Sequence, residues 1–186
     1  MNIAHIEERS YVNGPGCRFV IWTQGCSIRC KGCANRSMWD SRPNRVIPAE
    51  ALFESILAGR PALEGLTLSG GEPLDQYGET LTLLELCADR GISAMVYTGY
   101  QTGQITEKGM ARLFDLADIL ITGPYEEDKR TLNRQWTGST NQQIHFLSSR
   151  YKDYAPQDAN YVEVSLDAAG GLAVTGFPPI DAGMMT

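Results

Sequence analysis

Arg18-Phe19-Val20-Ile21-Trp22-Thr23-Gln24-Gly25-Cys26-Ser27-Ile28-Arg29-Cys30-Lys31-Gly32-Cys33 is a short apolar run that passes directly into a loop carrying three thiols. Residues 18–22 are apolar and β-branched enough for a buried strand, and the polar-glycine stretch behind them ends it. The thiols therefore fall at the carboxyl end of a strand, where parallel α/β folds build their sites. The Cys-x3-Cys-x2-Cys spacing lets one loop wrap a cubane corner by corner, with Gly25 and Gly32 leaving the backbone room to turn. Three ligands for four irons leave one iron open, as in catalytic rather than closed structural metal sites.

Outward from this stretch the pattern repeats. Residues 65–68, 93–97 and 118–122 are further short apolar runs that end in glycine or polar clusters. Between them lie helical spacings: Leu52, Phe53, Ile56 and Leu57 behind Pro48; Leu81, Leu84 and Ala88; and Met110, Leu113, Phe114 and Ala117, entered through Thr106 as N-cap. Crossovers of this length join parallel strands with right-handed connections. The expected fold is α/β, a partial, open (β/α) barrel of parallel strands, because a complete eight-stranded barrel needs about 250 residues. Residues 143–147 read as one more strand. Residues 161–166 and 172–175 read as a small C-terminal β-hairpin appendage around Asp167-Ala168-Ala169-Gly170-Gly171. The expected division is a barrel domain over residues 1–150 and the appendage over residues 151–186.

Composition narrows the function. The 186 residues carry 16 Lys+Arg against 22 Asp+Glu, a net charge of −6, which repels a phosphate backbone and argues against nucleic acid as partner. No apolar run approaches the roughly 18 residues of a membrane span, and the first residues lack the regions of a secretory signal. The expectation is a cytoplasmic protein without a membrane partner. Five cysteines, three of them within eight residues, suit metal better than a disulfide framework. A zinc site completed by Cys17, His5 or His145 is an alternative that the spacing suits poorly, and a Cys30-x-x-Cys33 dithiol leaves Cys26 unexplained. Cys17 and Cys87 read as buried thiols, and His145 as a strand residue without a catalytic role.

The other strand ends reach the same rim. Ser69-Gly70-Gly71-Glu72-Pro73 follows the second run; its glycines allow a ligand near the backbone, and Glu72 offers an acceptor for a cationic amine. The third run ends in Tyr97-Thr98-Gly99-Tyr100, with Thr98 the candidate ligand contact, and the fourth in Thr122-Gly123-Pro124-Tyr125. Four ends bringing glycine and hydroxyl groups together predict a pocket.

Cys26-x3-Cys30-x2-Cys33 together with Ser69-Gly70-Gly71-Glu72-Pro73 resembles the radical S-adenosylmethionine (SAM) superfamily. Asn13-Gly14-Pro15-Gly16 with Arg18, Gly32-Cys33 with Asn35 and Trp39, Tyr97-Thr98-Gly99-Tyr100, Gly123-Pro124-Tyr125 and Gly138-Ser139-Thr140-Asn141-Gln142 resemble the anaerobic ribonucleoside-triphosphate reductase activating proteins. The likeness spans about residues 11 to 147. It implies a [4Fe-4S] cluster on Cys26, Cys30 and Cys33, with SAM held at the open iron near Gly70, Gly71, Glu72 and Thr98. It also implies reductive cleavage of SAM to a 5′-deoxyadenosyl radical, which takes a hydrogen from a glycine of a partner glycyl-radical reductase. A flavodoxin or ferredoxin is the natural electron donor for such a cluster. Radical SAM modification of a peptide or small metabolite, as in natural-product maturation, is the second reading. Ile28 and Ala34 stand where the activators often carry histidine or an aromatic residue.

Overall fold

The structure is a computed structural model that describes residues 1–166 and 170–177. The chain enters through β1 (Asn2–Ser10), which pairs antiparallel with β2 (Arg18–Thr23) and with the two-residue β3 (Arg45–Val46). Beyond β2 lie β4 (Gly65–Gly70), β5 (Ser93–Tyr97) and β6 (Ile119–Thr122), each parallel to its neighbour, and β7 (Gln143–Phe146) closes the row antiparallel to β6. The order β3-β1-β2-β4-β5-β6-β7 makes a mixed, open sheet whose four central strands are the parallel runs expected from sequence. β1 is an addition to that expectation. Its ladder to β2 shifts register twice, between Ile3 and His5 and between Glu7 and Ser10, so no simple alternation marks it.

The helices follow the crossovers. α1 (Ala49–Ala58) starts behind Pro48, and α2 (Tyr77–Asp89) packs beside it. The third helical stretch departs from expectation. Thr106 lies inside α3 (Thr102–Glu107) rather than capping a helix, and Leu113 begins a separate α4 (Leu113–Leu116). Gly109 separates them at φ +72°, a left-handed conformation that ends a helix. Gln101 and Gln104 form the cap at the start of α3.

Strand alternation divides the core between two faces. Ile21, Leu66, Leu68, Ala94, Val96 and Leu120 pack with Leu52, Phe53, Ile56, Leu83 and Leu84 of the helices. Met95, Ile119 and Ile121 face the other way, onto Trp136 and Tyr151. On that second face, at the amino end of β2, Arg18 is wholly buried. It donates to Thr67 Oγ1 at 3.1 Å, to Ser93 Oγ at 2.8 Å and to the Leu66 carbonyl. The Tyr151 hydroxyl lies 2.8 Å from Ser93 Oγ and donates to Glu64 Oε1 at 2.7 Å, which brings a counter-charge to the guanidinium.

The C-terminal hairpin is present. β8 (Val162–Leu166) and β9 (Leu172–Gly176) pair antiparallel from Val162↔Gly176 to Leu166↔Leu172, and neither joins the large sheet. Residues 167–169 of its expected turn lie outside the described residues. No described helix is long and apolar enough to cross a membrane.

Candidate functional site

The carboxyl ends of β2, β4, β5 and β6 open into a cavity of about 1090 Å³. Cys26, Cys30 and Cys33 line it, together with Gly70, Gly71, Glu72 and Thr98. All seven residues singled out in the sequence therefore share one wall system. The volume suffices for a nucleoside-sized ligand.

The cysteine loop is fastened at both ends. Gly25 N–H donates to the Met38 carbonyl at 2.8 Å and Cys26 N–H to the Trp39 carbonyl at 3.2 Å. Ser27, next to Cys26, donates its N–H to Asp75 Oδ2 at 2.6 Å and its hydroxyl to Asp75 Oδ1 at 2.7 Å. The Tyr100 hydroxyl donates to the same Oδ1 at 3.2 Å. On the far side Asn35 N–H donates to Cys33 Sγ at 3.3 Å, and Asn35 Nδ2 reaches the Gly70 carbonyl at 3.3 Å. Asn35 thus joins the third thiol to the turn after β4.

The three thiols are half-buried and free of disulfides. Burial pushes the Cys26 and Cys30 thiols above the usual range. Backbone N–H groups of Arg29 and Ile28 oppose this at Cys26, and that of Tyr125 opposes it at Cys30. Soft sulfur donors on one loop, with backbone N–H groups directed at them, suit an iron–sulfur cluster, whose potential such hydrogen bonds tune. Among the described residues, no three His, Cys, Asp or Glu side chains gather around a single ion position. Cys17 and Cys87 are buried away from the cavity wall, as the sequence reading has them, and burial pushes Cys87 up to about 12. His145 Nε2 lies 2.9 Å from Thr122 Oγ1, while His5 lines the cavity beside Trp22.

The turn after β4 is built by close backbone contact. A Cβ on Gly71 would stand 2.1 Å from the Gly25 carbonyl oxygen, and one on Gly70, at φ +105°, would meet Thr23 N at 2.4 Å. These glycines let two loops lie against one another, a demand different from the ligand approach foreseen in the sequence. Gly71 N–H donates to the Thr23 carbonyl and Glu72 N–H to the Gly25 carbonyl, both at 2.8 Å.

Glu72 turns its side chain inward and is 1 % exposed. Oε1 accepts from Leu74 N–H and from Thr98 Oγ1, each at 2.9 Å, and Oε2 accepts from Gly99 N–H at 2.8 Å. A carboxylate has about four acceptor sites, so three donors leave capacity for one more. Burial raises its pKa to about 7, against the opposing bonds from Leu74, Gly99 and Thr98. Thr98 Oγ1 also accepts from Tyr100 N–H at 3.1 Å. Glu72 and Thr98 thereby bind the β4 turn to the end of β5.

Sequence reasoning missed Asp75 and the wall supplied by β9, which lines the cavity from Leu172 to Gly176. An aspartate in a short turn looks like a solvated cap, and a terminal hairpin has no local mark of where it will dock.

Residues 12–145 match the family described as 4Fe-4S single cluster domain. The chain is 33% identical over 149 residues to an anaerobic ribonucleoside-triphosphate reductase-activating protein of Enterobacteria phage T4, covering 77% of this chain and 93% of that one. The protein of the same name from Escherichia coli K12 is 30% identical over 143 residues, 73% of this chain and 92% of its own. A pyruvate formate-lyase-activating enzyme of Clostridium pasteurianum is 36% identical over 110 residues, covering 56% of this chain and 46% of that enzyme.

Proposed function

The chain belongs to the family of anaerobic ribonucleoside-triphosphate reductase-activating proteins, radical SAM enzymes with a [4Fe-4S] cluster, and from that premise we propose that it generates a glycyl radical on such a reductase. The observation that carries this reading is the shared cavity: three free thiols on one side, and Gly70, Gly71, Glu72 and Thr98 on the other. Cys26, Cys30 and Cys33 would hold the cluster, and the β4 turn with Thr98 would hold SAM. When bound, the cluster supplies the electron whose delivery splits the SAM sulfonium into methionine and a 5′-deoxyadenosyl radical.

The residues of the chain do the positioning. Asp75 and Tyr100 hold Ser27, and with it the first thiol, against the turn that carries Gly71 and Glu72. Asn35 does the same for the third thiol through the Gly70 carbonyl. The remaining acceptor capacity of Glu72 is available to an ammonium group, while Thr98 and Gly99 keep its carboxylate oriented. A low-potential flavodoxin or ferredoxin would deliver the electron.

The test is a mixing experiment without oxygen. Reconstituted protein with reductant and SAM is expected to release 5′-deoxyadenosine, and the Cys30→Ser variant to lose this release together with bound iron. Addition of the anaerobic ribonucleoside-triphosphate reductase of the same organism is expected to give a glycyl-radical doublet in the paramagnetic resonance spectrum. SAM cleavage with a silent spectrum would redirect the activity to another peptide or to a small metabolite. Full turnover by Cys30→Ser would remove the cluster assignment.

A further inference from the structure

The hairpin β8–β9 lies beyond the stretch matched by the family, which ends at residue 145. Its register sorts the side chains by face. Val162, Val164 and Leu166 share one face of β8 and stand opposite Gly176, Val174 and Leu172 of β9. Glu163 stands opposite Thr175 on the other face.

The polar face is the one that holds the body of the protein. Glu163 Oε2 accepts from Ser10 Oγ at 2.8 Å and from Tyr11 N–H at 3.1 Å, and Thr175 Oγ1 accepts from Asn13 Nδ2 at 2.8 Å. On the apolar face Val164 is 60%, Leu166 71% and Leu172 66% exposed. A hairpin that fastens its polar side to the body and presents a row of apolar side chains reverses the usual arrangement, and such a contiguous exposed row marks an interaction surface.

Its place bears on what it would meet. Leu172 and Val174 of this row also line the cavity that contains the three thiols, so the apolar row continues from the surface into the site. Across from Phe177, at a ring distance of 6.5 Å, is Tyr97, whose hydroxyl is buried in the cavity wall without a hydrogen-bond partner among the described residues. An unmet phenol donor beside an apolar strip suits a peptide segment, with its carbonyl groups and its side chains. A net charge of −6 disfavours an anionic lipid surface at the same place.

We infer that the apolar face of β8–β9 is the docking surface for the partner reductase and guides its glycine-bearing segment along Leu172 and Val174 into the cavity. This rests on the activity proposed above. The double variant Val164→Asp/Leu166→Asp tests it, because both side chains are exposed and neither lines the cavity. Release of 5′-deoxyadenosine from SAM and reductant alone is expected to match wild type. The concentration of the reductase giving half-maximal glycyl-radical signal is expected to rise about tenfold or more. Val164→Ser/Leu166→Ser, a milder change for use if the first variant folds poorly, is expected to shift it in the same direction.

An unchanged saturation curve overturns the inference. So does a parallel loss of SAM cleavage, which would make the hairpin a support of the site itself. A wild-type dimer in sedimentation velocity that the variant dissociates also overturns it, by making the face a contact between two copies. Failure of wild type to cleave SAM, or to raise a radical on the reductase, would instead defeat the proposed function.

Discussion

Asp75 holds the residue that follows Cys26: its two oxygens accept the backbone N–H and the hydroxyl of Ser27 at 2.6 Å and 2.7 Å, across 48 positions of sequence. The bonds place Cys26 relative to the β4 turn, so the two loops that line the cavity are tied to one another. Asp75→Ala is expected to lower stability by about 1 kcal/mol, the net worth of a hydrogen bond or two at a partly exposed site. It should also lower the iron retained after anaerobic reconstitution, whereas Asp75→Asn, which keeps one acceptor, should lose less. Iron content and a urea unfolding curve equal to wild type for Asp75→Ala would show that the loop holds its position without this bond.

Two glycines are expected to respond in opposite directions. Gly71→Ala places a Cβ 2.1 Å from the Gly25 carbonyl, a backbone atom that cannot step aside alone, and should cost about 2 kcal/mol or more. Gly103 lies inside α3 with open space around its Cβ position, so Gly103→Ala should gain up to about 1 kcal/mol from helix propensity. Thermal denaturation of the two variants beside wild type checks both signs.

Glu72 makes stability depend on pH in an unusual direction. Its folded pKa, about 7, lies above the ordinary carboxylate value of 4.5, so between these two the folded protein binds the proton that the unfolded chain releases. Stability from this group is complete below about pH 4.5 and is lost as pH rises through about 7. The total is up to about 3 kcal/mol on conversion of that shift. Glu72→Gln should flatten this part of the profile; an equal slope in wild type and variant, measured by unfolding from pH 4.5 to 7.5, would assign it elsewhere.

Arg18 is a prediction about stability at the opposite end of the sheet. Arg18→Ala would leave Thr67, Ser93 and the Leu66 carbonyl without their buried donor and would open space beside Gly65. The expected loss is about 3 kcal/mol. Residual protein that folds should still bind iron on reconstitution, since no atom of Arg18 reaches the cysteine cavity. Loss of iron binding in a folded variant would connect the two ends.

Part of the site could be read from the chain because its signals are local. A strand followed at once by Gly25, Cys26, Cys30 and Cys33 places thiols at a strand end wherever that strand lies, and the three later strand ends repeat the arrangement. β1 escaped because its bulged register breaks the alternation that identifies strands, leaving Ile3 wholly buried but Ile6 only partly so. The division of α3 from α4 escaped because spacing alone did not weigh the left-handed Gly109.

Sequence alone determined the parallel β2-β4-β5-β6 series, the three-thiol loop and the presence of a terminal hairpin, because periodicity and turn chemistry act over a few residues. Tertiary structure alone decided that Gly71 packs on Gly25, that Glu72 turns inward to Thr98 and Gly99, that Asp75 anchors Ser27, and that β9 walls the cavity. Each of these depends on a hydrogen bond or a van der Waals contact between segments far apart in the chain. Such partners become neighbours only once the sheet has set the strand order, and no local pattern encodes the distance between them.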